Sequence, residues 1–230
     1  MSAFPERLRA FAEVIVRVGL NLQPGQRLLV AEPYELQGVD RGAAAIVDAI
    51  RAVAAGEIEI QWGDRDSLRK FAATRDWRGL AAHVGANARQ MRDYVRRGDA
   101  LLFLQGSRAD LFAGLPPERI AEVHRLGWEH FGPVAQQLTQ GATHWTVAPA
   151  PTGAWADTAY ADIPRERRLD ALWDDVFDAM HVPPHGSASR IPAVESPVAA
   201  WQSALAGLAA RCADLNRRRF GTVTYTGPGT

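Results

Sequence analysis

Cysteine is almost missing from this sequence. Cys212 is the only one in 230 residues, so no intrachain disulfide can staple the fold. It falls on the apolar side of a patterned helical stretch and is expected as a small core residue rather than a nucleophile. Lysine is equally scarce: Lys70 stands alone, and nearly all positive charge is arginine. The arginines are scattered, and the densest run, 217–219, closes a predicted helix, where cations suit the negative end of the helix dipole. Basic and acidic residues balance at 26 each, so no net field draws the chain toward nucleic acid or an anionic membrane. No apolar run approaches the roughly 20 residues of a membrane-spanning helix. The opening MSAFPERLRAF carries no signal-peptide apolar segment. A cytoplasmic location is the expectation, with neither nucleic acid nor membrane as partner.

Several chemistry-bearing patterns are also missing. After the first predicted strand the chain reads EPYELQGVDRG, with no GxGxxG and no GxxxxGK[ST] to cradle a phosphate. No GxSxG elbow presents a nucleophilic serine. Ser107 follows a strand, at the end where α/β proteins build sites, but its neighbour Asp110 suits a turn better than a catalytic role. His181 and His185 have the spacing of a helical zinc pair, yet Pro183 and Pro184 between them break any helix. His130 beside Glu129 points elsewhere on a helix. Asp174 and Asp175 lie on the polar face of a helix and are expected to be solvated. No set of ligands or catalytic groups within this chain announces itself, so no catalytic and no metal-binding residue is assigned.

What is present is alternation. Residues 5–18 place Leu8, Phe11, Ala12, Ile15 and Val18 at helical spacing. QRLLVA (26–31), EIEIQW (57–62), ALLFLQ (100–105) and HWTVA (144–148) read as strands. ALLFLQ is continuously apolar, as in a strand buried on both faces. Helices are expected over 38–54, after a cap at Asn87, over 116–131, around Leu169–Met180, and after Ser196-Pro197, a cap with proline at the first helical position. In the last of these, Trp201, Leu205, Leu208, Cys212 and Leu215 form the expected inner stripe. Pro, Gly and Ser make 181–192 a loop. Strands alternating with helices predict an α/β fold, a mostly parallel sheet flanked by helices.

The chain closes on TVTYTGPGT. Thr222 to Tyr225 suit a strand, and Gly227-Pro228-Gly229 a turn. This final strand is expected to leave the first sheet and lead toward a missing second domain. The division follows: residues 1–220 as an α/β N-terminal domain, 221–230 as the start of a linker or strand.

Five stretches resemble one family in order and spacing. They are VGLNLQPGQRLLV (18–30), LPPERIAEV (115–123), APAPTGAWA (148–156), SPVAAWQSALAGLAARCADLN (196–216) and YTGPGT (225–230). Together they are similar to the N-terminal half of the M29 metallo-aminopeptidases, the thermophilic aminopeptidases. That resemblance implies an enzyme hydrolysing the first peptide bond of peptides. It also implies two divalent metals (Co, Zn or Mg) held by carboxylates, histidines and a tyrosine of a C-terminal domain, and a dimer enclosing its cavity. The two metals would activate a water and polarise the scissile carbonyl. No family ligand has a position within 1–230, so this chain alone is expected to be inactive and to shape the cavity and the dimer surface. Trp155, in the stretch matching the family's PT-x-x-WA pattern, is the candidate substrate-cavity residue. The competing reading has it filling the interface between sheet and helix. A surface left by the second domain is expected as an exposed apolar patch or as one buried against another copy, and self-association of the chain is expected. The alternative function is a stand-alone α/β binding or interaction module derived from such an enzyme. A further alternative, an unrelated hydrolase or transferase, would need histidines clustered around His124, His130 and His144.

Overall fold

The computed structural model describes residues 3–32, 39–63, 66–106, 111–182, 196–222 and 224–227. The first helix, α1 (Ala3–Val14), runs into a π-helical turn (Ile15–Gly19) that buries Ile15 and Val16. Asn21 then adopts a left-handed conformation and reverses the chain toward β1 (Leu28–Ala31). A short 3-10 turn leads into α2 (Ala44–Val53), and β2 (Ile58–Ile60) follows. Next come α3 (Ser67–Thr74), α4 (Trp77–Arg97), β3 (Ala100–Gln105), α5 (Pro117–Thr139) and β4 (Trp145–Pro149). Three more helices complete the described chain: α6 (Gly153–Ala159), α7 (Arg165–Ala179) and α8 (Pro197–Arg218).

The four strands form one parallel sheet in the order β2-β1-β3-β4. Period-two alternation splits it cleanly. Leu28, Val30, Leu102, Leu104 and Ala148 face a core closed by α1, α2, α6 and α7. Leu29, Ala31, Leu101 and Phe103 face a second core closed by α3, α4 and α5. Both cores contain side chains with no solvent exposure, among them Phe11 and Met91. The expected α/β fold with a mostly parallel sheet is what forms, and ALLFLQ is the strand buried on both faces.

The order of the strands creates a switch. From β1 the chain crosses to β2 on one side, then returns to β3 and β4 on the other. Adjacent connections leave in opposite directions between β1 and β3, and that is where doubly wound sheets open a crevice beyond the strand ends.

At the opposite end of the sheet the polar groups are tied together. The Arg27 guanidinium grips Asp99 through Nε (2.9 Å) and Nη2, and its amide donates to the same carboxylate at 3.1 Å. The guanidinium also lies over the Tyr94 ring, 4.7 Å from its centroid. Tyr94 in turn donates to Glu59 at 2.7 Å, and Gln90 donates to the same carboxylate at 2.5 Å. Burial would raise the Asp99 carboxyl, but the hydrogen bonds and charge of Arg27 outweigh it and hold it below the usual range. For Tyr94, burial and the Glu59 hydrogen bond push the phenol up.

Four local expectations are corrected. Asn87 caps nothing: it lies inside α4, which begins at Trp77 behind an Asp76 cap accepting from the Gly79 amide at 2.9 Å. The helix after Pro116 does not stop at Phe131. It passes Pro133, because Phe131, Val134 and Leu138 continue one buried stripe that offsets the hydrogen bond proline cannot make. The final strand is not formed: Thr222 and residues 224–227 are exposed and carry no strand pairing, while Val223 and residues 228–230 lie outside the described residues. An isolated pleated segment has no neighbouring ladder to satisfy it.

The fourth correction concerns α8, which has no buried residue along its 22 positions. Leu205, Leu208 and Leu215 are 45%, 48% and 53% exposed, and Cys212 is exposed as well. Of the expected inner stripe only Trp201 is half-buried, donating from Nε1 to the Met180 carbonyl at 3.0 Å. At 3.6 residues per turn, the half-buried line Ala200, Gly207 and Asp214 lies about 120° around the helix from the leucines. The helix rests its small residues near α1 and the π turn and aims its leucines away.

Candidate functional site

The switch-point end of the sheet is built from the C-terminal ends of the strands. Beyond β1 stands Glu32, one of three buried polar or charged side chains among the described residues, together with Gln61 and Asp99. Beyond β3 stands Gly106, and beyond β4 the turn Ala150-Pro151-Thr152. The Ala150 amide donates to the Gln105 carbonyl at 2.8 Å and carries the pairing one residue past the strands. Gly106 is needed for that approach. A Cβ there would lie 2.6 Å from the Ala150 carbonyl oxygen and 2.8 Å from the Thr152 methyl.

Thr152 then starts α6. Its side-chain oxygen accepts from the Trp155 amide at 3.2 Å, a cap that sets the helix and therefore the indole. Trp155 is half-buried and packs against the core shared by α1, α2 and α7. It therefore packs at the sheet–helix interface. On the far side of β1, Val39 bridges Trp62, Asp40 accepts from the Gly42 amide at 2.7 Å, and the Arg41 guanidinium lies over the Trp62 ring at 5.6 Å. Tyr160, just past α6, donates to Asp175, and that bond, with burial, pushes the phenol up to about 12.

The other expectations fall as follows. Ser107, Asp110 and His185 lie outside the described residues. Asp174 accepts from Arg7 at 2.5 Å on the surface. His124 meets Phe112 edge-on at 5.8 Å, His130 lies against Gly85 at the α4–α5 contact, and His144 precedes β4. Among the described residues, no three His, Cys, Asp or Glu side chains gather where they could hold a metal ion. The two-metal centre implied by the resemblance therefore finds no fitting donor set here, and no described residue is assigned to it. Among the same residues, no helix is long and apolar enough to cross a membrane. Glu32 escaped the sequence reading. Its one signal was an acid placed directly after an apolar strand, which becomes informative only once the sheet order is known.

Comparison with known proteins agrees along the whole chain. Aminopeptidase T of Thermus thermophilus is 30% identical over 237 aligned positions, covering 100% of this chain and 53% of that protein. Aminopeptidase 2 of Geobacillus stearothermophilus is 27% identical over 236 positions, covering 100% of this chain and 52% of the relative. The chain thus spans about half the length of the curated relatives it matches. The solved structure of wild-type AmpT from Thermus thermophilus superposes with a TM-score of 0.75 at 28% identity, over 95% of this chain and 50% of that one. The sequence pattern of the thermophilic metalloproteases (M29) matches residues 4–230, and the chain belongs to that M29 peptidase family.

Proposed function

We propose that this chain is the N-terminal, cavity-forming part of an aminopeptidase that removes the first residue of peptides. On this reading the chain has no catalytic residue of its own and turns over no substrate alone. The observation that carries it is the end-to-end match to one half of the aminopeptidases. In the assembled enzyme, two divalent metals (Co, Zn or Mg) would supply the activated water and the Lewis acid. They would be held by residues outside this chain.

The part played by this chain is shape. The switch between β1 and β3, with buried Glu32 directly after β1, marks the end of the sheet where α/β proteins receive ligands. On this reading Trp155, on α6, would form part of the cavity wall, limiting entry to short or unfolded peptides. Pairing of two assembled enzymes would close the cavity.

The test is direct. The purified chain is incubated with cobalt, zinc or magnesium and an aminoacyl chromogenic amide. No chelator-sensitive turnover is expected; clear turnover abolished by chelator would overturn the assignment of this chain as the non-catalytic part.

A further inference from the structure

Helix α8 is a long amphipathic helix that turns its apolar stripe to solvent. The leucines and Cys212 recur at 205, 208, 212 and 215, alternating steps of three and four. That spacing keeps one seam along a helix and is the spacing by which helices pack on one another. A polar face costs nothing in water, whereas an exposed ridge of this kind marks an interaction surface. We infer that the α8 stripe is the seat of the companion half of the M29 polypeptide: an apolar ridge flanked by carboxylates, supplied by the part of the family's chain that lies beyond the matched region. The inference rests on the reading of this chain as the N-terminal part of the enzyme.

Two observations commit the surface to that occupant. The first is length. The relatives match this chain from end to end and devote only 53% and 52% of their own length to the match, so the family carries nearly as much chain again. A tethered half also needs less buried area than a free partner, because its high effective concentration offsets the loss of free motion. The second is charge. Residues 197–219 hold Arg211, Arg217, Arg218 and Arg219 against one acid, Asp214, which already pairs Arg217 and Arg218. An acidic rim on the companion half would complement them, whereas parallel pairing of two such helices would bring like charges together.

Cys212, exposed and the only thiol, is a built-in reporter on the stripe. Its rate of maleimide labelling is measured in the 230-residue chain across a wide dilution series. The measurement is repeated in the same chain fused to the segment that follows the matched part of Thermus thermophilus aminopeptidase T. The expected result is fast, concentration-independent labelling of the chain alone and labelling slower by about tenfold or more in the fusion. Leu208→Asp should restore fast labelling in the fusion while leaving the chain alone unchanged. Protection that grows with the concentration of the chain alone would assign the stripe to a second copy and overturn the inference. Fast labelling of a fusion that is folded by circular dichroism would overturn it too. A fusion that fails to fold is replaced by intact aminopeptidase T carrying a cysteine at the position aligned with Cys212, where the same protection is expected and fast labelling overturns the inference. Turnover of an aminoacyl amide by the fusion tests the functional reading separately. Turnover with an unprotected thiol defeats the seat alone, and a protected thiol without turnover defeats the reading of function alone.

Discussion

Gly106 shows how one residue joins two strands. Its missing Cβ lets the end of β3 approach the Ala150 carbonyl, so Gly106→Ala forces a contact of 2.6 Å to backbone that cannot swing away. A loss of about 1–3 kcal/mol is expected, read as a lower Tm in thermal unfolding. Asp99 acts differently, through charge. Its carboxyl is held below the ordinary 3.8 by Arg27 against the opposing effect of burial. A group with a depressed folded pKa contributes stability above its unfolded value and loses it as pH falls through the folded value. The wild-type chain should therefore lose stability as pH drops below about 3.8, and Asp99→Asn should flatten that part of the curve while costing about 1–3 kcal/mol at neutral pH. Urea unfolding at several pH values measures both effects; equal pH slopes in the two proteins would refute the role assigned to the Arg27 pair.

Elements were legible where they carry their own period. ALLFLQ read as a doubly buried strand because every position is apolar, and β3 is Ala100–Gln105. Leu102 is fully buried between the sheet and its covering helices, so Leu102→Ala should cost about 2–5 kcal/mol in chemical unfolding. Boundaries were less legible. Asn87 has the residue type of a cap, but α4 continues through it because Leu80, Val84, Ala88 and Met91 share one buried face. Pro133 has the look of a stop, and packing of Val134 and Leu138 carried α5 through it. In α8 the period was correct and its orientation was not. A stripe of leucines names an amphipathic helix without saying which side has a neighbour. The same limit hid Glu32, whose position at the switch between β1 and β3 exists only when β3 has been placed beside β1.

Across the whole molecule, stability is uneven. Two cores with fully buried side chains hold the sheet, and α8 contributes no buried residue to either. Native-state hydrogen exchange should therefore show β1 and β3 amides opening only with global unfolding, while α8 amides exchange through a local opening of much lower free energy. Equal protection of α8 and β3 in the isolated chain would mean that the helix is covered there. The local period of the sequence by itself determined that this protein is an α/β fold with parallel strands, because the period that separates a strand from a helix, and their alternation, are carried by neighbours a few residues away. Only the tertiary structure decided the order β2-β1-β3-β4, the switch between β1 and β3, and the outward stripe of α8. Those depend on which surfaces meet across long separations in the chain, and an apolar residue carries the same transfer free energy whichever surface covers it.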